Sequence, residues 1–247
     1  MTSDLTLTSA LIGGDPRRAR ALGSLLQPVP HSLPQNATNG ALQLEALRGW
    51  INASLVTHLP SGIRRSVAKR QLAFIAGRLC AEHALSRLGV ESGVPSGVEG
   101  EPLWPAGTAG SITHTDATAF SAVIRCSGNP WGIGIDSESC VSESTLRDIL
   151  ATCCVAEERA TLFDGRDDRL TATIVFCVKE AFYKAIHSRV RRIIEFGEVQ
   201  VVSIDRKQRR ADVRPTPSGG LAQEVPWATA RFLVENNIVH ACVSEFA

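Results

Sequence analysis

Asp136 and Glu138 stand two apart in the run Trp131-Gly132-Ile133-Gly134-Ile135-Asp136-Ser137-Glu138. The run reads as a β-strand, and strand alternation sends both carboxylates to one face. Two carboxylates about 5 Å apart repel by up to a few kcal/mol at an intermediate dielectric. The pair therefore asks for a cation, a shared proton or full solvation at a strand end. The glycines beside it are not a dinucleotide fingerprint, because a third glycine and an ensuing helix are missing.

Three further groups could do chemistry. In Phe176-Cys177-Val178-Lys179-Glu180-Ala181-Phe182-Tyr183-Lys184-Ala185, helical spacing aligns Val175, Val178, Phe182 and Ile186 as an apolar stripe. Glu180 and Lys184 then fall four apart on the opposite side, with Lys179 at the stripe's edge. By spacing alone this is an i, i+4 ion pair contributing about 0.2–0.5 kcal/mol. The segment Gly110-Ser111-Ile112-Thr113-His114 ends a strand in a hydroxyl and an imidazole, ordinarily a structural hydrogen-bonding group. Arg70 and Arg78 lie eight apart on a helix and so share a side, by default a solvated basic face.

The elements that must position these groups alternate along the chain. Residues 1–60 are rich in Pro, Gly, Ser and Asn and read as an extended lead-in with one short helix near Leu42–Trp50. Ser66–Leu88 carries helical periodicity and stops before Gly89. A Gly/Pro-rich loop over 90–110 precedes strands at Ser111–His114, Ala119–Arg125 and Trp131–Glu138, the last two joined by a turn at Ser127-Gly128-Asn129-Pro130. A second helix over Leu170–His187 is followed by strands at Glu198–Asp205, Thr229–Val234 and Ile238–Ser244, the final pair a hairpin across Asn236-Asn237. Helix then strands, twice, predicts an α/β (α+β) chain of two similar halves, 1–125 and 126–247, related by pseudo-two-fold symmetry.

Composition bounds the function. The chain has 247 residues, 44% of them hydrophobic and 21% charged, with 26 Lys+Arg against 25 Asp+Glu. That excludes disorder and a disulfide scaffold and disfavours a nucleic-acid-coating protein. Seven cysteines, odd in number and without a CxxC pair, read as reduced thiols, which points to the cytoplasm. No histidine falls at zinc-ligand spacing, so zinc is disfavoured. Met1–Gly14 lacks a signal peptide's pattern, and no run is long enough to span a membrane.

The segments Gly100-Glu101-Pro102-Leu103-Trp104-Pro105, Gly110–His114, Gly134–Glu138 and Lys179–Ala185, in that order, together with Ala76-Gly77-Arg78, resemble the 4′-phosphopantetheinyl transferases of the Sfp-type superfamily. The likeness runs over about residues 70–185 and is greatest to the branch containing enterobactin synthetase component D. It implies that superfamily's fold and the transfer of phosphopantetheine from coenzyme A to a serine of an apo-acyl or apo-peptidyl carrier protein, releasing 3′,5′-ADP. By resemblance, Asp136, Glu138 and Glu180 hold Mg²⁺, and Glu180 accepts the serine proton directly or through a metal-bound water. Lys179 and Lys184 hold the pyrophosphate, with Glu180 and Lys184 the catalytic pair. Arg70, Arg78, Thr113 and His114 grip the 3′-phosphate of coenzyme A.

The length resembles the monomeric type with one active site between its halves, which serves siderophore, non-ribosomal peptide or polyketide carriers. One departure stands out. Where relatives often carry Lys or Arg before the Trp-Pro element, this chain has Val98-Glu99-Gly100-Glu101, so no coenzyme A contact carries over to Glu99. The competing readings are another Mg²⁺-dependent phosphoryl or nucleotidyl transferase and a non-enzymatic nucleotide- or RNA-binding module. No P-loop motif supports the first. A net charge of +1 and 5% aromatic residues weigh against the second. The basic runs Arg206–Arg210 and Arg189-Val190-Arg191-Arg192 read as a solvated turn and a helix C-terminus complementing its dipole.

Overall fold

The computed structural model describes residues 6–30, 32–126, 131–217 and 220–247. The chain divides into two units. The first holds the described residues of Met1–Val29 and Asn36–Ser127, the second those of Pro30–Gln35 and Gly128–Ala247. Each has one antiparallel sheet and one long helix, an α+β architecture.

The first unit runs α1 (Leu7–Ile12), α2 (Pro16–Leu25), β1 (Leu26–Gln27), β2 (Thr38–Gln43), α3 (Leu44–Leu47), α4 (Ala53–Thr57), α5 (Ser61–Arg64), α6 (Ala68–Arg87), β3 (Thr108–His114) and β4 (Thr118–Arg125). Its sheet order is β1-β2-β4-β3. Helix α6 is built from Ala, Leu and Arg, strong helix formers, and buries Leu72, Ile75, Ala76, Leu79, Cys80 and Leu85. Close approach of helix and sheet needs small residues. A Cβ on Gly77 would stand 2.7 Å from Ile112 Cγ2, and one on Gly40 3.2 Å from the Cys80 carbonyl. Glu82 of α6 reaches the start of α1, where its carboxylate accepts the Leu7 and Thr8 amides at 2.8 Å each. Those are two of the orphan donors every helix start carries.

The second unit runs β5 (Gly134–Ser139), α7 (Glu143–Thr152), α8 (Ala156–Thr161), α9 (Asp168–Val190), β6 (Val199–Asp205), β7 (Arg210–Pro215), β8 (Ala228–Glu235) and β9 (Ile238–Phe246). Its sheet order is β5-β9-β8-β7-β6. The stripe Val175, Val178, Phe182 and Ile186 is fully buried in the main core of this unit. Asn236 and Asn237 both take positive φ, 50° and 63°, in the two-residue turn joining β8 to β9, as a tight hairpin requires.

Several sequence expectations change. The lead-in is not extended: α1 and α2 are helical, and β2 pairs with β4 inside the sheet. Asp15 capping Arg17 N, with Pro16 at the first helical position, is a start signal that composition masked. The expected Leu42–Trp50 helix begins two residues late, because Leu42 and Gln43 complete β2; Leu44–Leu47 is α-helical and Arg48–Trp50 a 3₁₀ turn. The strand β5 does not pair with β4 but with β9, and the expected turn at 127–130 lies outside the described residues. Helices α7 and α8 and the strand β7 add to the expected elements. The order is also not simply helix then strands. In each unit a strand precedes the long helix and pairs with the last strand, β2 with β4 and β5 with β9. The Arg206–Arg210 run forms the turn between β6 and β7 and the first residue of β7, tied down by Arg206 to Asp167 at 3.0 Å. Arg189 stacks on Trp131 and Arg192 pairs with Glu198.

Candidate active site

Gly134 decides how close β5 lies to α9. A Cβ there would stand 1.8 Å from the Ala181 carbonyl oxygen and 2.7 Å from the Ala185 nitrogen, so no other residue fits without moving the strand. The Gly132 amide also donates to the Ala185 carbonyl at 3.1 Å. Residues of like parity share a strand face, so Asp136 and Glu138 face α9 as Gly134 does.

On that face Lys184 of α9 donates to Asp136 Oδ1 at 2.6 Å and to the Ile135 carbonyl at 3.3 Å. Asp136 is 3% exposed. Burial opposes the Lys184 charge, but Asp136 and Glu180 outweigh it and raise its pKa. Glu180, half-buried one turn earlier, has its carboxyl pushed up by burial; Lys184 pulls it down and Asp136 adds to the rise. The Cys177 thiol also contacts Asp136, and burial, Asp136 and Glu138 all keep it protonated. Asp136, Glu138, Glu180 and Lys184 thus share one electrostatic neighbourhood. The i, i+4 reading is overturned: the ammonium of Lys184 pairs across to β5 rather than along its own helix.

Among the described residues, no three His, Cys, Asp or Glu side chains form a ready metal cage. The donor set still suits Mg²⁺. That ion takes a few carboxylates and completes its octahedron with water and phosphate oxygens rather than with a protein cage.

Lys179 lies elsewhere. It is 1% exposed, and its ammonium donates to the Cys153 carbonyl at 2.7 Å, Glu158 Oε2 at 2.8 Å and the Phe196 carbonyl at 3.1 Å. All three N–H groups are used, which leaves none for the pyrophosphate contact that the resemblance implies for Lys179.

In the first unit, Arg78 is 5% exposed, lies over the Phe74 ring at 4.8 Å and donates to Ser96 Oγ at 3.0 Å. Burial lowers its pKa to about 10, which leaves it cationic at neutral pH. Its Nε has no partner among the described residues. Arg70 is exposed at the start of α6, and Thr113, buried, and His114, exposed, close β3. Trp104 packs on β3 at Gly110, where a Cβ would be 2.6 Å from the ring. The 97–101 loop closes on itself through Gly97 N to the Glu101 carbonyl at 2.8 Å and Glu99 N to Glu101 Oε2 at 3.0 Å. The Glu101 carboxylate is therefore occupied, and Glu99 points its charge to solvent.

Sequence reasoning missed Glu158, Cys177 and His240. His240, 3% exposed on β9, meets Ser137 Oγ at 2.9 Å. Burial pushes its pKa down from 6.5 to about 4. Between those values the unfolded chain binds the extra proton. The stabilisation is complete above pH 6.5 and is lost as pH falls towards 4, up to about 3 kcal/mol over the full span. His240→Gln should therefore lose less thermal stability than the parent between pH 7 and 4.5. Equal losses in the two proteins would remove this assignment.

Two family models match the chain: the 4′-phosphopantetheinyl transferase N-terminal domain over residues 59–124, and the 4′-phosphopantetheinyl transferase superfamily over 132–242. Enterobactin synthase component D of Salmonella typhimurium is 30% identical over 178 residues, covering 72% of this chain and 73% of that protein. The chain belongs to the 4′-phosphopantetheinyl transferase superfamily. The 4′-phosphopantetheinyl transferase PptT of Mycobacterium tuberculosis is 36% identical over 56% of this chain and 61% of its own length. Npt of Nocardia iowensis is 35% identical over 56% and 62%. As a phosphopantetheinyl transferase the chain is an enzyme, and the β5–α9 cluster falls inside the superfamily match. Among the described residues no helix is long and apolar enough to cross a membrane.

Proposed function

We propose that this enzyme transfers the 4′-phosphopantetheine group of coenzyme A to a serine of an apo-carrier protein, with Mg²⁺, releasing 3′,5′-ADP. The observation that carries this reading is the Asp136–Lys184 pair at 2.6 Å beside Glu180. It puts carboxylates and a fixed cation in one partly buried place, where charge on a pyrophosphate can be met. The serine hydroxyl oxygen forms a bond to the β-phosphorus as the bond from that phosphorus to the bridging oxygen breaks. The serine proton goes to the Glu180 carboxylate, which burial, by raising its pKa, makes a stronger base than a free carboxylate. Lys184, kept charged by Asp136, faces the pyrophosphate oxygens. Asp136, Glu138 and Glu180 would hold Mg²⁺, which supplies neutralisation of charge developing on the leaving oxygen.

The carriers we assign are those of siderophore, non-ribosomal peptide or polyketide synthesis, served by a monomer in the cytoplasm. Incubation with coenzyme A, Mg²⁺ and an apo-carrier should add one phosphopantetheine to the carrier's intact mass. An unchanged mass for every carrier tried, with a phosphoryl or nucleotidyl adduct instead, would favour the rival transferase. Steeply salt-dependent RNA binding without transfer would favour the binding module.

Arg70, Arg78, Thr113 and His114 are assigned to the 3′-phosphate, supported by the unused Nε of buried Arg78. Dephospho-coenzyme A, which lacks that group, should then bind at least about tenfold more weakly, since a hydrogen bond to a charged group contributes about 1.5–3 kcal/mol. Arg78→Ala should weaken coenzyme A and leave dephospho-coenzyme A almost unchanged. Equal losses for both ligands in titration calorimetry would move Arg78 to the scaffold of α6.

A further inference from the structure

Glu158 completes a buried junction that no motif announces. Its side chain is 0% exposed. Oε2 accepts from Lys179 Nζ at 2.8 Å and from Val155 N at 2.7 Å, and Oε1 accepts from Val201 N at 2.6 Å. With the Cys153 and Phe196 carbonyls that complete the Lys179 ammonium, one ion pair ties together the end of α7, the start of α8, the middle of α9 and the strand β6. Every donor on the cation is satisfied. That is the condition under which a buried pair repays its desolvation.

Lys179 immediately precedes Glu180 in the sequence and lies five residues before Lys184. A helix advances about 100° per residue, so fixing Lys179 towards α8 and β6 fixes the rotation of α9 that turns Glu180 and Lys184 towards β5. We infer that Glu158 and Lys179 are positioning residues for transfer: their buried ion pair locks α9 in the rotation and height that bring Lys184 and Glu180 to Asp136. Lys179 touches neither coenzyme A nor the reacting atoms. This inference rests on the transfer reading above, but its stability and ligand-binding consequences do not need that reading.

The experiment compares Lys179→Met, Glu158→Gln and the double variant Glu158→Gln/Lys179→Met, which keeps both shapes and removes both charges. Thermal unfolding, coenzyme A affinity by calorimetry, and kcat and KM are read for each, well below its unfolding temperature. Each single variant leaves one buried charge without its partner and should unfold about 10 °C lower. The double variant should regain most of that loss, because the two changes are coupled. In both single variants kcat should fall by about tenfold or more, while coenzyme A affinity stays within about threefold, and the double variant should recover kcat.

If Lys179 instead held the pyrophosphate, Lys179→Met and the double variant would both lose coenzyme A affinity by about tenfold or more, and Glu158→Gln would not. That pattern overturns the inference. Unchanged kcat in a less stable Glu158→Gln also overturns it, leaving the pair as scaffold alone. If a single variant does not fold, the double variant still separates the two roles by its coenzyme A affinity. Failure of the parent protein to modify any carrier would sink the transfer reading, and the unfolding and calorimetry results would stand apart from it.

Discussion

Replacing Asp136 with alanine should lower phosphopantetheine transfer at least about 10²–10³-fold while the far-ultraviolet circular dichroism stays that of the parent. The magnitude is that of removing one fixed electrostatic element aimed at developing charge in a site partly shielded from water. Asp136 is nearly fully buried and holds Lys184 at 2.6 Å, so the change takes away a proposed metal ligand and the anion that raises the Lys184 pKa. Asp136→Asn separates loss of the charge from loss of the side chain's volume and hydrogen bond. It keeps the volume and a hydrogen-bond acceptor for Lys184 but loses the charge, so it should be nearly as inactive and more stable than the alanine variant. Near-normal turnover of either variant at saturating Mg²⁺ would end the assignment of Asp136 to the metal.

Glu180→Gln should lower kcat by about 10²–10⁴-fold, the range for loss of a positioned general base. The amide keeps the shape of the side chain, so coenzyme A affinity should change far less than turnover. Removing this carboxylate also removes one of the groups that raise the Lys184 pKa. Asp136 remains, however, and through its hydrogen bond keeps Lys184 charged. The comparison that matters is therefore kcat against coenzyme A affinity in one protein. A preserved kcat would leave Glu180 as a helix residue near the cluster with no part in proton transfer.

What could be read along the chain was what periodicity and local chemistry encode. The long helices α6 and α9 and the strands β3, β4, β6, β8 and β9 lie close to their expected spans, because apolar spacing reports which face of an element is buried. Helices α7 and α8 escaped because they are short and polar, although Ser142 caps α7 by accepting the Thr145 amide at 3.2 Å. The strand β2 escaped because Asn39 and Gly40 are poor strand formers. Its glycine is there for the approach of α6, which is a fact of packing.

The residue types of the proposed site were legible in the sequence: carboxylates at 136, 138 and 180, cations at 70, 78 and 184, and the parity that sets Asp136 and Glu138 on one face. Partnership was not. Spacing on a single helix offered Glu180 as the partner of Lys184 and gave Lys179 no partner at all. In the folded chain Lys184 reaches Asp136 on β5, and Lys179 turns inwards to Glu158, twenty-one residues earlier. Sequence fixes which side chains a segment carries and which way they point relative to one another. Only packing decides how closely two segments approach, and Gly134 against the Ala181 carbonyl sets that distance here. The strength of an ion pair and the cost of an unpaired charge both depend on that distance and on the water it excludes, and neither is encoded in spacing along a single segment.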